Sequence, residues 1–261
     1  DQPVPPSEEE GEVLVLSADG KGVVMRRRAD EPAPTAHRKK GEKASRKRMA
    51  TVGAVYTVER HMRTAEEVVA ALFRDEPRPQ EKRPRPCHKR VWACLDPPEP
   101  EAAGGGRDLV FTWLWWETAH RDRERTKPCV FVGDGQETLW TELRAYIDDR
   151  PVVEILDLLH VTPRLWQAAH VFHAEGSDAA EQFVRQRLLR VLHGEVAGVI
   201  RGLRSMGTHQ EVKGAKRKTL QAVCQYLENR REQMRYDEYL AAGYPIASGV
   251  IEGACRHVVK D

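Results

Sequence analysis

The sequence predicts an α/β (α+β) protein whose strands come first and whose second half is helical. Short apolar runs rich in β-branched residues, which are typical of strands, recur between residues 12 and 160. From about Pro163 to Gly243, apolar residues recur every three or four positions instead, as in amphipathic helices. The 261 residues, of which 40% are hydrophobic, suffice for one large domain with a sizeable insertion. We therefore expect a sheet-containing core, residues 12–162, followed by a helical insertion, residues 163–243.

Five apolar runs are predicted strands, at residues 12–19, 49–58, 89–95, 128–134 and 151–160. The first and the fourth end in an aspartate that is followed by glycine, a pair that favours a tight turn. Each of these two strands thus delivers a carboxylate at its end. The fifth run also ends in polar groups, and the first two would pair as a hairpin with a long basic tip.

Helices are predicted around these strands. Thr64–Glu67 is a capping-box sequence that begins a short helix, and residues 109–120 fit a helix better than a strand. Another helix is expected at residues 137–147. Near the end, Ser248 can cap a helix that begins at Gly249, which places Glu252 in or near its first turn. Residues 244–261 are thus interpreted as the last helix of the core.

Composition argues for an intracellular protein. No stretch is apolar enough to cross a bilayer, and the acidic, proline-rich residues 1–11 lack the features of a signal peptide. These residues are expected to be a disordered lead-in. The five cysteines are scattered and form no Cys-x-x-Cys pair, so neither a disulfide framework nor a zinc site is indicated. A cytoplasmic location without a membrane partner follows as the expectation.

The net charge of +2 conceals an uneven distribution. Basic residues cluster at 26–28, 37–48, 82–90 and 213–218. Such clusters attract a phosphate backbone through counterion release, independent of base sequence. A single basic run is more often a solvated loop, but several of them together with an acidic site favour a nucleic-acid partner.

Three carboxylates are candidates for that acidic site. Asp19 and Asp134 end predicted strands and Glu252 begins a late helix, so the three would meet if the two strands are neighbours in one sheet. Hard divalent cations prefer carboxylate oxygens, and a pair of such ions supports phosphodiester cleavage or transfer. Taken singly, each residue is more often a turn or cap residue. Arg256 and Lys260, on roughly the same helix face as Glu252, would meet phosphate.

Several short stretches of the sequence are more specific than these single residues. They lie at residues 18–23, 52–57, 63–64, 133–135, 155–161 and above all 244–256. They resemble bacterial insertion-sequence transposases of the ISKra group, and the resemblance covers nearly the whole chain from Glu12 onward. That group is similar to Mutator-like transposases, whose core is an RNase H-like mixed sheet with helices. Their catalytic triad lies at strand ends and on a late helix. The resemblance also implies that the chain is truncated at both ends relative to its full-length relatives.

The resemblance implies an Asp-Asp-Glu site in which Asp19, Asp134 and Glu252 hold two Mg²⁺ ions, with Mn²⁺ as a possible substitute. Asp157 and His160 look like the Asp-x-x-His signature of such transposases and are assigned to site support. Asp157 remains the main competitor of Asp134 for the second position.

The implied function is cleavage of transposon ends and strand transfer to target DNA, by a homo-oligomer assembled on double-stranded DNA in the bacterial cytoplasm, associated with the nucleoid. Two alternatives stay open: an RNase H-like nuclease that cleaves without joining, and an inactive remnant that merely binds DNA. The residues expected to contact DNA are basic: Lys21, Arg26, Arg46, Lys47, Arg48, Lys89, Arg90, Arg256 and Lys260.

Overall fold

A mixed sheet of five strands lies at the centre of the protein. The computed structural model describes residues 3–25, 47–75, 83–96, 105–147 and 150–258, and only the backbone of residues 252, 254 and 256–258. Its strands are β1 (Val13–Val24), β2 (Lys47–Val58), β3 (Cys87–Leu95), β4 (Cys129–Gly133) and β5 (Val152–Leu156). They lie in the order β3-β2-β1-β4-β5. The first three pair antiparallel, whereas β4 runs parallel to both β1 and β5.

Nine helices flank the sheet within the described ranges. Three occur among the strands: α1 (Ala65–Phe73), α2 (Gly106–Arg121) and α3 (Glu137–Tyr146). The others follow β5: α4 (Leu158–Phe172), α5 (Asp178–Leu192), α6 (Val196–His209), α7 (Gly214–Asn229), α8 (Tyr236–Ala241) and α9 (Gly249–Val258). None of these described helices is long and apolar enough to span a membrane.

The two faces of the sheet contact different helices because side chains alternate along each strand. On β1, Val13 and Val15 join the core shared with α1 and the helices that follow β5. Leu14 and Leu16 point the other way and pack with residues of α2 and α3. The helical second half therefore shares one apolar core with the sheet and covers one of its faces.

The predicted α/β class is confirmed, with two corrections to the elements. β1 does not turn at Gly20–Gly22, because its pairing with β2 continues as far as Val24 opposite Lys47. The last predicted strand ends at Leu156, since Asp157 caps α4, which begins at Leu158. The all-helical part thus starts five residues before Pro163, which lies inside α4. The predicted hairpin of β1 and β2 is present, and its basic tip lies outside the described residues.

The segment before β1 was expected to be a disordered lead-in, but its last residues are attached to the fold while residues 3–9 stay largely exposed. It forms a short 3-10 turn at Ser7–Glu9. The Glu10 carboxylate then accepts two hydrogen bonds of 2.8 Å from the Arg121 guanidinium, and it accepts a third from the Thr57 hydroxyl. The side chains of Glu10 and Arg121 are each only 1% exposed. The ion pair therefore ties the end of this segment to α2, and the hydrogen bond from Thr57 ties it to β2.

Replacing Glu10 tests that attachment. Glu10→Ala leaves the Arg121 charge buried without its carboxylate partner, and we expect the free energy of unfolding to fall by about 3 kcal/mol. Glu8→Ala is the matched control, because Glu8 is exposed, and its effect should stay within about 0.5 kcal/mol. Urea denaturation measures both. Equal, small effects would show that the segment is not part of the folded core.

Candidate active site

Three aspartates line up where the parallel pairing of β1, β4 and β5 ends, although β1 itself continues past Asp19 to Val24. Ala18 lies opposite Gly133 in the β1–β4 pair, and Gly133 lies opposite Leu156 in the β4–β5 pair. The next residues are Asp19, Asp134 and Asp157, so they occupy one row across three neighbouring strands. Such strands lie about 4.8 Å apart. The predicted condition for a shared site, that the strands of Asp19 and Asp134 are neighbours, is met.

Asp19 lies beneath α9. It pairs with Val52 across the β1–β2 ladder, and Val52 packs in a small apolar cluster with Ile251 and Cys255 of α9. The Cys255 thiol donates a hydrogen bond of 3.1 Å to Oδ2 of Asp19. The helix that carries the third predicted carboxylate is therefore held directly against the strand that carries the first.

Asp134 follows β4 in a tight turn. Its Oδ1 accepts a hydrogen bond of 2.7 Å from the Gln136 amide, and Gly135 adopts a left-handed conformation with φ of 85°. Burial raises the pKa of the Asp134 carboxyl, and the negative charges of Asp19 and Asp157 raise it further. The Gln136 amide and His160 lower this pKa, but the net shift is upward. Negative charge is thus concentrated at this edge of the sheet.

Asp157 has no exposed surface, and both of its carboxylate oxygens accept hydrogen bonds. Oδ1 accepts from the Leu159 amide at 2.8 Å, which caps α4. Oδ2 accepts from the Ser248 amide at 3.0 Å and from the Ser248 hydroxyl. Ser248 precedes α9, so the Asp157 carboxylate joins the start of α4 to the start of α9. His160, in the first turn of α4, is half-buried and is close enough for its charge to act on Asp134.

Glu252 lies in α9, one residue after Ile251 and three before Cys255. Its backbone is therefore on the helix that packs over Asp19, but its side chain lies outside the described part of the structure. Among the side chains that are described, no set of three His, Cys, Asp or Glu could hold a metal ion. Asp19 and Asp134 thus supply two adjacent carboxylates of the kind that a hard divalent cation binds, and the third predicted ligand is not in that described set.

The predicted DNA-contacting residues have different surroundings. Lys21 lies on β1 two residues after Asp19, and therefore on the same face of the strand. Arg48 donates to the backbone carbonyl of Asp96, and Arg90 pairs with Glu117 at 2.9 Å with little exposed surface. These two guanidinium groups thus hold parts of the fold together.

The remaining predicted contacts are exposed or have side chains outside the described ranges. Lys47 and Lys89 are exposed at the beginnings of β2 and β3. Only the backbone of Arg256 is described. Three residues lie wholly outside the described ranges: Arg26, Arg46 and Lys260.

Some residues at the site were not predicted from the sequence. The Ser248 hydroxyl, expected to cap α9, donates to Asp157, a contact that the sequence did not indicate. Cys255 could have been found from its position three residues after Glu252, which puts both on one side of a helix. Tyr226 of α7, whose hydroxyl donates to the Asp134 carbonyl at 3.1 Å, gave no local signal, because its contact spans 92 positions.

Comparison with known proteins adds no further constraint. No protein-family model, curated protein or solved structure matches this chain. A function must therefore be argued from the row of aspartates and the helix packed above it.

The raised pKa of Asp134 predicts a pH-dependent stability. Because its folded-state pKa is raised, the ionised carboxylate destabilises the fold at pH values above that pKa. Asp134→Asn removes this charge while keeping an oxygen for the Gln136 amide, so it should raise the melting temperature near neutral pH. The gain should shrink as pH falls through the raised pKa, and should vanish below the ordinary value of 3.8.

Thermal melts between pH 3 and 8 measure the effect. Asp178→Asn is the control, since Asp178 is exposed in the first turn of α5, where a negative charge favours the helix. That substitution should slightly lower stability near pH 7. A loss of stability with Asp134→Asn at neutral pH would mean that a partner stabilises this carboxylate, and would contradict the raised pKa.

Proposed function

We propose that the protein is the catalytic core of a metal-dependent DNA transposase with an RNase H-like fold, acting through Asp19, Asp134 and Glu252. The observation that carries the proposal is the row formed by Asp19 and Asp134 directly after the last paired residues of the parallel strands β1 and β4, beneath the helix that contains Glu252. A mixed sheet flanked by helices, with carboxylates at strand ends and on a late helix, is the arrangement that the sequence resemblance implies.

The carboxylates suit two Mg²⁺ ions, with Mn²⁺ as a substitute. When bound, such ions activate the attacking oxygen and stabilise the leaving oxygen of a phosphodiester displacement. The chain itself supplies the charge and the placement. Asp19 is held by Cys255. Burial and, to a smaller extent, the negative charges of Asp19 and Asp157 raise the pKa of Asp134, and a cation between the carboxylates would favour its ionised form.

Asp134 is the better candidate than Asp157 for the second ligand. Both oxygens of Asp157 already accept hydrogen bonds from the protein, and its carboxylate is fully buried. Asp134 accepts one backbone hydrogen bond through Oδ1, which leaves it better able to bind a cation. We assign Asp157 to holding α9 in place, as a positioning residue.

The proposed partner is double-stranded DNA, both transposon ends and target, bound by a homo-oligomer in the bacterial cytoplasm. Lys21 supports this assignment, since it is on the face of β1 that bears Asp19. The exposed Lys47 directly follows the basic segment 26–46 in the sequence, and Lys89 is exposed on β3. Together these charges would neutralise phosphate groups near the carboxylates.

Removing one carboxylate at a time tests the chemistry. Asp19→Asn, Asp134→Asn and Glu252→Gln should each reduce Mg²⁺- or Mn²⁺-dependent nicking and joining of a labelled element end by about a hundredfold or more. Metal-assisted displacement depends on several kcal/mol of charge stabilisation, and each 1.36 kcal/mol is about tenfold in rate. Gel analysis of cleaved and strand-transfer products provides the measurement.

Asp178→Asn is the matched control and should retain activity. Cleavage without strand-transfer products would indicate a nuclease that does not join. DNA binding without any cleavage by the unsubstituted protein would indicate an inactive remnant. Equal activity in the unsubstituted protein and the Glu252→Gln variant would remove Glu252 from the site.

Charge reversal beside the β1–β2 hairpin tests the DNA partner. Arg46→Glu combined with Lys47→Glu should weaken binding to all duplexes alike, and should reduce the slope of log affinity against log salt by about two. Arg201→Glu combined with Arg231→Glu makes the same change in net charge on exposed helical positions. Fluorescence anisotropy at several salt concentrations measures both. A loss confined to one DNA sequence, or an equal loss in the control, would contradict phosphate binding by this segment.

A further inference from the structure

Two side chains at the end of α7 form hydrogen bonds with the turn that contains Asp134. The Tyr226 hydroxyl donates to the Asp134 carbonyl oxygen at 3.1 Å. Arg230, directly after α7, donates to the next carbonyl, that of Gly135, from Nε at 3.0 Å and from Nη2 at 2.7 Å. Two successive carbonyls of the turn are therefore held by side chains that lie more than 90 residues away in sequence.

Tyr226 and Arg230, which together form a clamp on this turn, are held in place by further contacts. The Arg164 guanidinium of α4 lies 4.7 Å from the centre of the Tyr226 ring. Arg230 also pairs with Glu137, the first residue of α3, at 2.6 Å. Burial and the negative charges of Asp134 and Asp157 raise the pKa of Tyr226 against the smaller lowering effects of Arg164 and Arg230, so its hydroxyl stays protonated as a donor at neutral pH. The contacts are thus fixed from α3, α4 and α7 together.

The turn has no room to move towards α7. A Cβ atom on Gly135 would lie 2.9 Å from Cδ1 of Leu156 and 3.1 Å from the Tyr226 hydroxyl oxygen. The same turn aims the Asp134 carboxylate, whose Oδ1 is held by the Gln136 amide. Holding the carbonyls of residues 134 and 135 therefore holds the carboxylate as well.

We propose that Tyr226 and Arg230 are positioning residues, through which the helical second half sets the orientation of the Asp134 carboxylate for metal binding. The inference rests on the proposed function for its metal part. Groups that orient a metal ligand without touching the metal typically contribute tenfold or more to metal affinity. The helical region thereby becomes part of the active-site machinery and not only a cover for one face of the sheet.

Tyr226→Phe removes the hydroxyl and little else. Its matched control is Tyr239→Phe, because the Tyr239 hydroxyl also donates to a backbone carbonyl in the same region, that of Glu154 at 3.0 Å. The first measurement is amide hydrogen exchange of residues 134–136 in metal-free protein. We expect roughly five- to tenfold faster exchange in Tyr226→Phe and no change in Tyr239→Phe, since one hydrogen bond is lost.

The second measurement is Mn²⁺ affinity by isothermal titration calorimetry. Tyr226→Phe should bind Mn²⁺ about tenfold more weakly than the unsubstituted protein, and Tyr239→Phe should bind it equally well. Arg230→Lys keeps the charge but loses the two-point contact with the Gly135 carbonyl, and should resemble Tyr226→Phe.

The two measurements separate the clamp from the proposed function. Unchanged exchange at residues 134–136 in Tyr226→Phe would overturn the clamp. Faster exchange with unchanged Mn²⁺ affinity would overturn its role in the metal site. Faster exchange in a protein that binds no Mn²⁺ would retain the clamp and overturn the proposed function, together with the metal part of the inference.

Discussion

The parallel pairing of β4 with β1 and β5 is the constraint on which the site depends. It sets Asp19, Asp134 and Asp157 side by side, where burial and the neighbouring negative charges raise the pKa of Asp134. Each aspartate is then used differently. Asp19 meets α9 through Cys255, Asp134 sits in a turn clamped from α7, and Asp157 joins the starts of α4 and α9. The helices after β5 are thus tied to the sheet at the same edge where negative charge collects.

This arrangement explains why the helical half cannot be regarded as a separate unit. It shares an apolar core with one face of the sheet. Tyr226 also donates a hydrogen bond to the turn of Asp134, and Ser248, which precedes α9, donates to Asp157. Sites in proteins are held in productive geometry by surrounding side chains that lock the direct ligands. In this protein those surrounding side chains come from helices far along the chain, so the geometry depends on the whole fold.

Much of the fold could be predicted from the sequence, because its signals are local. Alternating and β-branched runs predicted the positions of the five strands that the described ranges contain, and the Thr64–Glu67 capping box is present as predicted. The extension of β1 through Gly20–Gly22 was missed, because pairing with β2 overrides the preference of glycine for turns. The strand end at Leu156 was missed because Asp157, which looked like a strand residue, caps a helix. The burial of Glu10 could not be foreseen, since its partner Arg121 is 111 positions away.

The proposed chemistry requires that Asp19, Asp134 and Glu252 together hold a pair of metal ions. Anomalous diffraction from crystals soaked in Mn²⁺ tests this requirement most directly. We expect two anomalous peaks about 3.5–4 Å apart, bound by the carboxylates of these three residues. The absence of any peak beside Asp19 and Asp134, or a peak held by other residues, would contradict the proposal.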